Sequence, residues 1–134
     1  MDKKYEIAWR DAQQTVLIVT YLADPLLNDI LEANLEALAM IHDAAHEVIL
    51  LHNGGNHNLE TVGIGSFHDL LYNKLPRDSI ENLKFIIVLI ENNRIRKFAG
   101  AAMEILDKLF LRRQIVQSVG SMAEAERLIA RAGF

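Results

Sequence analysis

Residues 85–110 read FIIVLIENNRIRKFAGAAMEILDKLF, and this stretch decides the fold. Phe85–Leu89 is continuously apolar and rich in β-branched residues, as expected of a central strand covered on both faces. Glu91-Asn92-Asn93 is a polar turn. Beyond it Ile95, Phe98, Ala99, Ala102, Met103, Leu106 and Leu109 recur at three- and four-residue spacing, the stripe of an amphipathic helix. Apolar strand, polar turn and amphipathic helix together make half of a βαβ unit, and the same unit recurs along the chain.

Upstream, Tyr5, Ile7 and Trp9 alternate with Glu6, Ala8 and Arg10, which predicts a strand with one buried face. The polar reversal over 11–14 is too short for a crossover, so the β-branched run Thr15–Tyr21 is expected to pair antiparallel with the first strand. A helix follows to about Ala44. Asp24 is its expected cap, Pro25 its first residue, and Leu27, Ile30, Leu31, Leu35, Leu38 and Ile41 its apolar stripe. Glu47–Leu51 reads as a third strand that enters a loop at His52-Asn53-Gly54-Gly55. Helical spacing resumes at Phe67, Leu70, Leu71 and Leu75 and stops at Pro76.

A strand over Leu83–Ile90, the helix after it, a short strand Ile115–Val119 and a helix Met122–Ala132 complete the order. Ser121 and Glu124 have the spacing of a capping box at the start of that last helix. The order β-β-α-β-α-β-α-β-α predicts an α/β fold: a mixed four- to five-stranded sheet with an N-terminal antiparallel hairpin, right-handed crossovers and about four helices.

Length and composition fit this architecture. At 134 residues the chain suits a single domain over 1–134 with a core of its own, and 51% hydrophobic with 24% charged residues is the balance of a folded globule. There is no cysteine, which removes disulfide and thiolate chemistry. No apolar run is long enough to suggest a membrane span, and the N-terminus leads into an alternating strand in place of a signal-peptide core, which favours the cytoplasm. The net charge of −4 is unevenly spread: residues 1–67 carry three Lys/Arg against ten Asp/Glu, and residues 68–134 eleven against eight. That asymmetry permits pairing of two copies. The acidic total and the lack of a basic, aromatic-interleaved stripe argue against nucleic acid as a partner.

No catalytic cassette is legible. The five histidines lack metal-ligand spacing, so no metal site is expected, and they read as surface or cap residues. Ser66, His68 and Asp69 have the residue types of a triad, but their spacing on a helix does not line them up as nucleophile, base and orienter. Gly63-Ile64-Gly65-Ser66 lies where backbone amides could cradle an anion, but it lacks the full glycine fingerprint and the lysine of a phosphate loop, so no cofactor is expected.

The strand order, the long first helix, the glycine-bearing loop after strand three and the closing Val119-Gly-Ser-Met-Ala-Glu-Ala-Glu126 segment together resemble STAS domains, the fold of anti-sigma-factor antagonists. That resemblance implies a non-enzymatic regulatory domain with a protein partner. It nominates Ser66 as the nearest match to the family's phosphoacceptor, although Gly65 stands where an acidic residue is usual and Phe67 where a small one is. The working surface is then expected in the loops that hold Asn53, Gly54, Gly55 and Gly65 and, after the next strand, Asn92 and Arg94. The alternative expectation is a small-molecule or lipid-binding module with its pocket at the C-terminal strand ends.

Overall fold

The computed structural model describes residues 4–54, 82–91 and 116–134, and every structural statement below refers to them. Five strands form one mixed sheet in the order β1-β2-β3-β4-β5: β1 Tyr5–Trp9, β2 Val16–Tyr21, β3 Val48–Asn53, β4 Leu83–Leu89 and β5 Val116–Val119. The β1–β2 pair is the expected antiparallel hairpin, and β2, β3, β4 and β5 run parallel to one another. Two helices are described, α1 Leu27–Ala44 and α2 Met122–Arg131. The helices expected from the apolar stripes over 67–75 and 95–109 lie outside the described residues.

Strand alternation divides the core into two layers. Leu17, Val19, Tyr21, Val48, Leu50, Ile86 and Val88 pack with Ile30, Ala33, Ala37, Leu38 and Ile41 of α1. Val16, Ile49, Leu51, Ile87, Leu89 and Val119 face the other way and pack with Ala125 and Ile129 of α2. β4 contains an irregularity that decides which side chain goes where. Val48 pairs with Leu83 and Ile49 with Phe85, so Lys84 is an extra residue. The bulge reverses the phase of the strand: Leu83 joins the α1 layer, whereas Phe85, two residues on, joins the α2 layer.

Helix α1 departs from expectation in two respects. Its N-cap is Leu26, extended at φ −91° and ψ 168°, and not Asp24. The Asp29 carboxylate reaches back to accept from the Leu26 amide at 2.8 Å, which satisfies an amide at the helix start and places Pro25 ahead of the helix, buried. Leu35, expected on the apolar stripe, is 44% exposed. The buried face instead runs through Ile30, Ala33, Asn34, Ala37, Leu38 and Ile41. At about 100° per residue Leu35 lies on the opposite side of the helix from both Ala33 and Ala37, so a helix that buries those two alanines turns Leu35 outward. The helix ends at Ala45, in the left-handed region at φ 58°.

Elsewhere the described geometry follows local chemistry. The 10–15 reversal is clasped by Asp11, whose carboxylate accepts from the Thr15 amide at 3.0 Å and from its hydroxyl. Burial alone would raise the Asp11 carboxyl, but the two Thr15 donors and the neighbouring Arg10 hold it below the ordinary carboxylate value. Arg10 in turn pairs with Glu126, tying the hairpin to α2. At the start of α2, the Glu124 amide donates to Ser121 Oγ at 3.2 Å and the Glu124 carboxylate accepts from Gly120 N–H at 3.3 Å. The capping signal is therefore real, with its reciprocal half shifted by one residue. Phe134 folds back onto the α2 layer with Lys84 Nζ 5.2 Å from its ring centre, so the terminal aromatic is a packing residue.

Candidate functional site

The parallel strands end together along one edge of the sheet, with the strand order running from β2 to β5 without reversal. Ile90 N–H donates to Val119 O at 2.9 Å, and Gly54 N–H donates to Leu89 O at 3.1 Å. The second bond joins the exits of β3 and β4, so the two loops nominated from the sequence leave the sheet as neighbours. Of their residues, Asn53 is the half-buried last residue of β3 and Gly54 is buried beside it. Gly55, Gly65, Ser66, Asn92 and Arg94 lie outside the described residues.

Beneath this edge sits a buried polar chain that the sequence reading did not anticipate. His52 was expected in a loop, as a surface or cap histidine. It is the fifth residue of β3, 1% exposed, paired with Val19 on one side and Val88 on the other. Its parity with Val48 and Leu50 turns the ring toward α1, where Asn34 is also fully buried. Asn34 Nδ2 donates to Ile30 O at 2.8 Å, which leaves Asn34 Oδ1 as an acceptor for His52 Nε2 at 3.2 Å. Nε2 must therefore carry the proton. Nδ1 is then the acceptor for the Tyr21 hydroxyl at 3.0 Å, and the two rings lie nearly parallel with centroids 5.8 Å apart.

The chain thus runs in one direction, from Tyr21 O–H to His52 to Asn34 to the backbone of α1. Burial alone pushes the His52 imidazole down to about 4, so the ring is neutral at pH 7. Burial first, and then the nearby Tyr5 and Asp29, raise the Tyr21 hydroxyl well above the ordinary phenol value. A neutral imidazole with both nitrogens engaged, beside a phenol that holds its proton, does not make an acid–base pair poised for turnover near neutrality. What the network does is lock the last turn of strand to the helix above it, giving the loop exits a rigid base.

Around that base the surface is partly apolar. Leu22, just past β2, is 49% exposed, and Leu26, at the start of α1, is 59% exposed. Met122, the first residue of α2, is 38% exposed at the far end of the same edge. Three of the four large hydrophobic residues exposed among the described ones therefore lie along the strand-end edge; the fourth is Leu35. Two further histidines, His42 and His46, are exposed at and just beyond the other end of α1, and His57 and His68 lie outside the described residues. No group of three His, Asp or Glu suited to a metal ion occurs among the described residues, and no described helix is long and apolar enough to cross a membrane.

Comparison with known proteins adds no assignment: no protein-family model, no curated protein and no solved structure matches the chain. The fold and the edge just described carry the functional reading by themselves.

Proposed function

We propose that the chain is a non-enzymatic, cytoplasmic regulatory domain resembling the STAS anti-sigma-factor antagonists, and that it docks a protein partner on the C-terminal strand edge. The observation that carries this reading is the Gly54–Leu89 hydrogen bond, which puts the loop exits of β3 and β4 side by side. Leu22 and Leu26 flank the same edge as exposed apolar anchors, and Tyr21, His52 and Asn34 hold it rigid from below. Exposed leucines beside a preorganised backbone favour association with a second macromolecule, because little ordering cost accompanies binding. Ser66, the serine nominated from the sequence, is the proposed phosphoacceptor of this surface.

The experiment is partner capture with a photo-crosslinking residue at Leu22, repeated in Leu26→Asp, Ser66→Asp and Ser66→Ala backgrounds. The reading expects one crosslinked protein whose yield falls with Leu26→Asp and differs between the two Ser66 variants. Equal yields in all backgrounds, with folding unchanged by circular dichroism, overturn it. Native mass spectrometry of the purified protein separates the alternative, since a retained small molecule or lipid would move the assignment to a ligand-binding module.

A further inference from the structure

In the edge strand β1 the outward hydrogen-bonding groups of Ile7 and Trp9 are unmatched among the described residues. At its two ends Lys4 O accepts from Leu22 N–H and Arg10 N–H donates to Val16 O, both at 2.8 Å. With Glu6 opposite Thr20 and Ala8 opposite Ile18, these bonds fix the phase of the hairpin: the even-numbered residues exchange bonds with β2. The N–H and C=O groups of Ile7 and Trp9 therefore point away from the sheet. Beside them, on the α1 side, runs a groove of about 650 Å³ between the strand and the flank of the helix, with Ile7, Ala39 and Met40 among its walls. Tyr5 stands at one end of it, its hydroxyl donating to Glu36 at 3.0 Å.

We propose that β1 is the seat of a homodimer, in which β1 of a second copy adds antiparallel to it and extends the sheet across a twofold axis at Ala8. The pattern of the strand selects this register. With the axis at Ala8, Glu6 lies opposite Arg10 of the second copy and Arg10 opposite its Glu6, two attractive pairs on one face. On the other face Ile7 lies opposite Trp9 of the second copy. Both residues are half-buried on the α1 side of the sheet, so the incoming Trp9 reaches the groove wall formed by Ala39 and Met40. Moving the axis by one residue, to Ile7, would set Lys4 against Arg10 and forfeit both attractive pairs.

The existing contact between Arg10 and Glu126 is compatible with the dimer, because a guanidinium has donors enough for two carboxylates. A five-residue strand pair with one groove is a small interface, so the dimer forms as a function of concentration. This surface is separate from the strand-end edge, and the inference stands or falls independently of the partner-docking reading.

The chain has no cysteine, so one introduced thiol reads the register directly. In the proposed pairing Ala8 faces its own equivalent in the close, non-hydrogen-bonded position, whereas the two Glu6 residues are far apart. Ala8→Cys is expected to oxidise to a disulfide-linked dimer about tenfold or more faster than Glu6→Cys at equal concentration, through its higher effective concentration. Light scattering on the wild type is expected to show a mass that rises with concentration toward twice that of the chain. Ile7→Pro removes an outward N–H together with the Ile7 side chain that lines the groove, leaves the hairpin ladder's own hydrogen bonds in place and is expected to hold the protein at the monomer mass. Equal crosslinking of the two cysteine variants, or a wild-type mass that stays monomeric at every concentration, overturns the proposal.

Discussion

Acidification should destabilise this protein, and one separable part of that loss comes from His52. Its imidazole is pushed to about 4 by burial, whereas the unfolded chain offers it the ordinary value of 6.5. The folded value is the depressed one, so between the two values the unfolded state binds the extra proton. The stabilising contribution is then complete above about pH 6.5 and declines as pH falls toward about 4. A difference of about 2.5 units corresponds to about 3 kcal/mol in full, of which about 2 kcal/mol is already lost at about pH 5. With a urea m-value of about 2 kcal/mol per molar, that loss moves the unfolding midpoint down by about 1 M.

The assay is urea unfolding at neutral pH and at about pH 5, on the wild type and on His52→Gln, which cannot titrate. The difference between the two pH slopes isolates His52 from every other acid-sensitive group. In parallel, the His52 ring resonances should stay fixed from neutrality to about pH 5. Identical slopes in the two proteins would refute the reasoning, because they would mean that His52 is not held neutral by its burial.

Three other perturbations follow from the same geometry. Tyr21→Phe removes the hydroxyl that donates to His52 Nδ1 and strands a buried acceptor, so urea unfolding should show a loss of about 1–3 kcal/mol, larger than for an exposed tyrosine. Ser121→Ala removes the cap that receives the Glu124 amide, and thermal unfolding should report about 1 kcal/mol of lost stability. Ala45→Gly should act in the opposite sense, raising the melting temperature through a gain of about 1 kcal/mol, because Ala45 ends α1 in a left-handed conformation that glycine adopts without a Cβ penalty.

The hairpin was readable because Tyr5, Ile7 and Trp9 alternate and the 11–14 reversal is too short for anything but antiparallel pairing; β4 was readable because an unbroken apolar run has nowhere to go but the sheet centre. Helix α2 declared itself through Ser121 and Glu124. These are local signals, carried by residues within a few positions of one another. The apolar stripe of α1 misleads at Leu35 because hydrophobicity alone ranks leucine above alanine, whereas the face packed on the sheet carries the small, fully buried Ala33 and Ala37. His52 misled for a related reason. A histidine next to Asn53-Gly54 reads as the start of a loop, and the one clue to the contrary was its parity with Val48 and Leu50.

The sequence by itself determined the α/β class, the antiparallel start, the positions of the strands and the cap of the last helix, since each depends on periodicity or on a contact between near neighbours. Tertiary structure alone decided the rest. The bulge at Lys84 sorts β4 between two core layers. Pairing with Val19 and Val88 draws His52 into the sheet, between Tyr21 and Asn34, and the Gly54–Leu89 bond brings two loop exits together. Those arrangements join residues tens of positions apart. Their energy lies in desolvation and in hydrogen bonds formed only once the strands are in register, and no local pattern in the chain encodes that.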